Sequence, residues 1–274
     1  MNQSAIGEGP DMDTMTGDGA GTDLRRRTVL LRGAAAVGLP SLGLAGCATS
    51  SRPAGPVRQF EQPQVRVGDR WLYREINRYN QLPLADVEVT VTAAAPLTCS
   101  VRRTRTDSTA GEIARPDAVQ EERYAGAWTV DLEPTYDLTM DFAEPMPLLP
   151  PSLRVGERDN RETRYTVRGY SGQYRWTQRL AAIGTDRITT PAGSFDCLIV
   201  RRMIWFDYPD VFRFGSARID KVWYAPEVNR WVRREWTGDY QHENSLDERG
   251  GSRRREDWVR WELVAYSPAP KAAG

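Results

Sequence analysis

One histidine, His242, and three cysteines, Cys47, Cys99 and Cys197, are all the imidazole and thiol that 274 residues contain. A Ser-His-Asp triad or a zinc site has almost no raw material here, and no G-x-S-x-G elbow occurs. Neither G-x-x-x-x-G-K-[ST] nor G-x-G-x-x-G is present, so the sequence lacks the common phosphate-cradling turns and no cofactor is expected. Lysine is nearly missing as well. Only Lys221 and Lys271 occur, so almost all positive charge is arginine, which the codon bias of a GC-rich genome explains. Lys+Arg and Asp+Glu number 37 each, and this balance points away from nucleic acid and from acidic substrates. Downstream of residue 47 no apolar run approaches membrane length.

What the sequence does contain begins with an address. Arg25, Arg26 and Arg27 precede Thr28-Val29-Leu30-Leu31 and an Ala/Gly-rich stretch from Gly33 to Gly43, which leads into Leu44-Ala45-Gly46-Cys47. The last four residues read as the cleavage and lipid-attachment box of a bacterial lipoprotein. Small residues at Ala45 and Gly46 fit a narrow peptidase site, and the Cys47 thiol can become a thioether-linked diacylglycerol. Each buried acyl methylene adds about 0.8 kcal/mol of membrane affinity, so two or three palmitoyl-length chains anchor a protein stably. Arg26-Arg27 with one spacer and two apolar residues resembles a twin-arginine export signal; its usual Phe and Lys are missing, and an ordinary Sec lipoprotein signal fits too. A membrane-spanning helix does not. Only about 17 residues separate Arg27 from the box, interrupted by Arg32 and Pro40, against the ~20 that a span needs. Ala48 after the lipidated position favours the outer membrane, with the domain facing the periplasm, over the inner membrane.

The expected organisation is therefore a signal peptide over 1–46, a lipid-anchored flexible tether over 47–64, one β-rich domain over 65–267 and a disordered tail over 268–274. The tether is small, polar and punctuated by proline, and such a coil would hold the domain about 20 Å from the bilayer. From Val65 onward, short β-branched and aromatic runs alternate with Gly, Pro and Asp, and no helical stripe survives two turns. That texture predicts an all-β fold of antiparallel curved sheets, as a sandwich or a full or half barrel. Strands are expected over Trp71–Tyr79, Leu84–Ala94 and Leu97–Arg105, then near Arg161–Tyr170, Gln173–Ile183, Cys197–Phe206, Arg218–Tyr224, Arg230–Thr237 and Asp257–Tyr266. Asn244–Glu256, with Arg253-Arg254-Arg255, reads as a solvated loop.

Two echoes suggest similar halves, 65–144 and 153–267. Val65-Arg66-Val67-Gly68-Asp69-Arg70 returns as Leu153-Arg154-Val155-Gly156-Glu157-Arg158, and Cys99-Ser100-Val101-Arg102-Arg103 returns as Cys197-Leu198-Ile199-Val200-Arg201-Arg202. Between the halves, 145–152 carries four prolines by Pro151. Such a stretch must run extended and is expected as a crossover rather than part of a central strand.

The stretch Ile188-Thr189-Thr190-Pro191-Ala192-Gly193-Ser194-Phe195-Asp196-Cys197, followed by Val222-Trp223-Tyr224-Ala225-Pro226-Glu227-Val228-Asn229-Arg230-Trp231-Val232-Arg233, resembles a broad set of uncharacterised bacterial envelope lipoproteins. These β-rich periplasmic or outer-membrane proteins pair a TPAGtFdA hairpin with a later WYaPevgrfVr hairpin. The resemblance implies a curved-sheet or barrel-like periplasmic domain and no activity. Cys197 stands where the set tends to carry Ala, and Asn229 replaces the turn Gly.

Chemistry is left to generic groups. Asp207 and Asp210 flank Tyr208-Pro209, and Glu121-Glu122 precedes Tyr124; such pairs could serve a glycosidase but arise by chance in a chain this charged. His242 reads as a surface residue. Nine tryptophans are many, and Trp223, Trp231, Trp236, Trp258 and Trp261 fall in the C-terminal third. Most should pack a wide core, with one or two lining a pocket, and strict alternation puts Trp231 and Trp236 on opposite faces. Cys99 and Cys197 form a candidate disulfide in an oxidising compartment, or stay as two buried thiols. Two functions survive. One is a non-enzymatic envelope lipoprotein that binds an apolar, lipid-like ligand or a protein partner; the other binds or cleaves cell-wall glycan. A closed apolar cavity would favour the first, and a Trp-lined groove with paired acids the second.

Overall fold

The computed structural model describes residues 58–106, 118–135, 138–242 and 252–270; the signal residues Arg26, Arg27, Leu44, Ala45 and Gly46 and the acylation site Cys47 lie outside them. The first half supplies β1 (Arg70–Asn77), β2 (Pro83–Ala94), β3 (Leu97–Arg105), β4 (Ala118–Gly126), β5 (Thr129–Thr135) and β6 (Leu138–Pro147). The second supplies β7 (Arg158–Val167), β8 (Tyr174–Thr190), β9 (Gly193–Phe206), β10 (Arg213–Ala225), β11 (Arg230–His242), β12 (Ser252–Arg255) and β13 (Val259–Ser267). Consecutive strands pair antiparallel from β1 to β11; β13 then joins β11 to β1 and closes a 12-stranded barrel, with β12 as an extra strand on β11. Closure gives every barrel strand a neighbour on both sides, with a short pairing between β6 and β7. The only helical element among the described residues is a 3-10 turn at Pro226–Val228.

The first echo is structural. Gly68 and Gly156 both adopt φ 92°, each just before the first strand of its half. Gly68 N–H donates to Val91 O and Gly156 N–H to Ala182 O, while Val91 and Ala182 donate back to Asp69 O and Glu157 O. A bulge follows each of these residues, between Val91 and Ala93 and between Ala182 and Gly184. The second echo is not in register. Cys99 pairs with Val91, whereas Ala182 pairs with Val200, so Val200 and not Cys197 is the counterpart of Cys99.

Three expectations need correction. The proline stretch does not cross between sheets: Pro145 and Pro147 belong to β6, with Pro147 opposite Thr129 of β5. This is tolerated because β6 pairs with β7 only over Met140–Phe142, so no partner on that side needs the missing N–H groups. Ser252–Arg255, expected in a loop, is a strand on Asp239–His242. Residues 58–64, assigned to the tether, pack on one end of the barrel, where Phe60 N–H donates to Leu153 O and Tyr224 Oη to Glu61 O, both at 2.8 Å. Of the tail, Ala269 is tied by its N–H to Asp69 Oδ1 at 2.8 Å.

The lumen is full. At the end that residues 58–64 cover, Trp71, Trp128 and Trp231 meet edge to face, with Trp128 5.7 Å from Trp71 and 5.4 Å from Trp231. Trp128 and Asn229 hold the left-handed position at the start of β5 and β11, and Trp128 Nε1 donates to Asn229 O at 2.6 Å. The outer wall is polar instead. Arg74–Asp86, Arg123–Asp141 and Arg70–Glu88 pair along it, where a lipid-spanning barrel carries an apolar band.

Candidate functional site

The lumen holds charge as well as aromatics. Arg230, fully buried, packs its guanidinium against the rings of Trp231 and Trp128 at 4.2 and 4.7 Å and pairs with Glu122 at 3.3 Å. Glu122 also accepts from Tyr124 Oη at 2.6 Å. Deeper along the barrel, Asp220 sits among Arg202, Arg218 and Arg234, all inaccessible to solvent or nearly so. Burial alone would raise the Asp220 pKa, but Arg234, Arg202 and Arg218 outweigh it and hold the carboxyl far below the usual range. Glu75 pairs with Arg103 at 2.7 Å and accepts from Trp261 Nε1 at 2.9 Å. These groups pair with one another and pack the interior, so the inside of the barrel is a core, although Arg230 Nε and Nη1 find no hydrogen-bond partner and lie against the aromatic rings.

An accessible hollow lies on the outer wall. On β10, Ser216, Arg218 and Asp220 point inward and are buried, which turns Ala217 and Ile219 outward. Register then assembles two rows across the strands: Trp205, Ala217, Asp239 and Arg255 in one, and Met203, Ile219 and Thr237 in the other. Small Ala217 leaves the floor low. Trp205 rises on one side, with the Arg179 guanidinium 5.3 Å from its ring. Tyr79, Trp258 and the β12 arginines Arg253 and Arg255 close the other, enclosing a groove of about 430 Å³. That volume lies within the ~300–1,000 Å³ of small-molecule sites. Ile219 is 48 % and Trp205 38 % exposed, large values for such side chains. Asp239 is the groove's carboxylate, and it is paired with Arg253.

Against this geometry the sequence candidates scatter. Asp207 and Asp210 sit in the β9–β10 loop. Asp207 accepts from Arg175 at 3.2 Å, and Asp210 accepts the Phe212 N–H at 3.0 Å, which is turn chemistry. Glu122 is internal while Glu121 is its neighbour on the opposite face of β4, so the two cannot act across a cleft. His242 stacks on the exposed Phe212 ring at 6.4 Å. Of the tryptophans, Trp205 and Trp258 line the groove and the other seven are buried in whole or in large part. Trp231 and Trp236 do not face opposite ways. A bulge at Val232, where Tyr224 opposes Trp231 and Trp223 opposes Arg233, restores both to the interior, and the Arg234 guanidinium lies 5.5 Å from each ring.

The candidate disulfide is absent: Cys99 and Cys197 are separate buried thiols. Strands β3 and β9 stand six places apart round the ring in either direction, which is as far as the barrel allows. Burial pushes both thiols up to about 12. A second cleft, of about 350 Å³ where β6 and β7 part, brings Glu144 and Glu162 beside Arg164 and Arg175. Neither hollow is legible in the sequence, because both depend on cross-strand register.

No family model matches the chain, and no curated protein matches it. Two solved structures are similar to it. One is a protein proposed to be a lipoprotein, from Parabacteroides distasonis, with 15 % identity and a TM-score of 0.43 over 76 % of this chain and 99 % of the other. The other is a protein proposed to be exported, with a YmcC-like fold, from Bacteroides fragilis, with 13 % identity and a TM-score of 0.42 over 77 % of this chain and 100 % of the other.

Proposed function

We propose that this chain is a lipid-anchored envelope protein, attached through Cys47 to the outer membrane and facing the periplasm, that works as a non-enzymatic binding module. The observation that carries this reading is the contrast between a lumen packed with aromatics and arginine–carboxylate pairs and an outer wall with an apolar-floored groove. A lipocalin-like barrel keeps its ligand inside; this one offers its surface. The groove's acid is bound to Arg253, whereas glycan hydrolysis needs two carboxyl groups free to act across the substrate.

The experiment is cell fractionation with mass spectrometry of the mature N-terminus. Acylated Cys47 in the outer-membrane fraction, with Cys47→Ser unprocessed and missing from that fraction, is the expected result. Wild-type mature protein without acyl chains would end the reading. Glycan cleavage is the second reading, favoured only by the Glu144 and Glu162 cleft. Soluble sugar released from peptidoglycan by the purified protein, and abolished by Glu144→Gln or Glu162→Gln, would replace the binding module with a hydrolase.

A further inference from the structure

We infer that the outer-wall groove binds a single-chain anionic amphiphile, with its head group on Arg253 and Arg255 and its tail along Ile219 and Met203. The inference rests on the reading of the outer wall as the binding surface and names the class of ligand it takes.

The floor is apolar where the strand register places Ala217, Ile219 and Met203 side by side, and Trp205 and Trp258 stand as walls. An exposed aliphatic such as Ile219, 48 % accessible, gains by being covered, at about 25 cal/mol for each Å² removed from water. The mouth is cationic. Arg253 and Arg255 are exposed and two residues apart on β12, so they project from the same face of the strand. Asp239 neutralises only one of them, through Arg253. An incoming carboxylate, sulfate or phosphate head would share Arg253 with Asp239 and add Arg255, in the charge-assisted, two-pronged manner that guanidinium groups favour. A neutral sugar head would leave the arginines without an anion, and a cationic head would be repelled. Past the mouth, Phe214, 42 % exposed, lies opposite Gln241, the residue that pairs with Arg253. The outward row of Met203 and Ile219, with Ala217 beside it, suits an extended acyl chain.

The test is isothermal titration of the full chain carrying Cys47→Ser with dodecanoate, below its micelle concentration, against dodecyl maltoside and inorganic phosphate. Saturable one-to-one binding of dodecanoate is expected, with dodecyl maltoside at least tenfold weaker and phosphate alone not binding. Arg253→Gln/Arg255→Gln should weaken dodecanoate about tenfold, the loss of a hydrogen-bonded charge contact, and leave dodecyl maltoside unchanged. Ile219→Ser should weaken both detergents. All three side chains are exposed, so circular dichroism of the variants should match wild type. Equal affinity for the two detergents, or dodecanoate binding unaltered in both variants, overturns the inference. Absence of dodecanoate binding overturns it too, while acylated protein in the outer-membrane fraction would leave the proposed function standing.

Discussion

Replacing Asp220 by Asn keeps the shape of the side chain and removes the one carboxylate that Arg202, Arg218 and Arg234 share in the lumen. Arg234 Nη2 lies 2.9 Å and Arg218 Nη2 3.7 Å from Asp220 Oδ2, and Arg202 donates to the same oxygen. The side chains are 5 %, 3 % and 1 % exposed, and Asp220 is fully buried, so water cannot take over the lost contacts. Breaking a buried pair by removing one partner costs about 3–5 kcal/mol, against a total stability of about 5–15 kcal/mol for a domain. Urea unfolding of the Cys47→Ser chain, followed by tryptophan fluorescence, should show the midpoint falling by about 1 M or more, given slopes near 3 kcal/mol/M. Asp207→Asn is the control. Its pair with Arg175 is 75 % and 49 % exposed, so it should change stability by about 0.5 kcal/mol or less. Acid gives a second reading of the same charge. Because the folded-state pKa of Asp220 is depressed, its contribution is fully present above the unfolded value of about 3.9 and is lost as pH falls below it. The gap between wild type and Asp220→Asn should therefore narrow by roughly 2–3 kcal/mol between pH 5 and pH 2. A variant within about 1 kcal/mol of wild type at pH 7, with a gap that does not change in acid, would refute the claim that this carboxylate compensates the buried arginines.

Trp128→Ala should cost about 3–5 kcal/mol in the same unfolding assay, since the ring is fully buried against Trp71, Tyr124 and Trp231 and its Nε1 holds the second turn. With thiols raised to about 12, Cys99 and Cys197 should resist iodoacetamide at pH 8 in the native protein; both should alkylate in denaturant without a reductant. Failure to alkylate under those conditions would reveal a bridge. His242→Ala and Asp210→Ala, at exposed or half-exposed turn and edge positions, should leave the unfolding midpoint and dodecanoate titration unchanged.

Alternation made the fold legible where one face is apolar and the other polar, as with Val87, Val89 and Val91 of β2, all of them buried. It failed for β4 and β5, whose sequences are too charged and short to announce a strand; Glu122 is inward-facing, and its contacts with Arg230 and Tyr124 Oη make that position tolerable. A polar residue in the lumen looks like a surface residue to any pattern argument. The same reasoning went wrong at Trp231 and Trp236 because one bulged residue reverses the parity of everything beyond it. The Gly68 and Gly156 turns were legible because a positive φ demands a particular residue, and the demand recurs with the same flanking sequence.

That repeat also explains where the groove lies. With Trp128 and Asn229 as equivalent turn residues, β5 from Thr129 to Thr135 corresponds to β11 from Arg230 to Trp236. The second half then continues: β11 runs on to His242, and β12 adds to that extension, with no counterpart in the first half among the described residues. Thr237, Gly238 and Asp239 of the groove are all in the continuation, and Arg253 and Arg255 are on the strand it recruits. The portion shared by both halves closes a barrel whose interior is committed to packing, which leaves little freedom to vary without unfolding. An extension beyond the closed ring escapes that constraint, because its inner partners are few and its outer face meets water. A binding surface could be added there at small cost to the fold, so substitutions at Arg253 and Arg255, and at Ile219, whose side chain is 48 % exposed on the neighbouring β10, should separate ligand binding from stability.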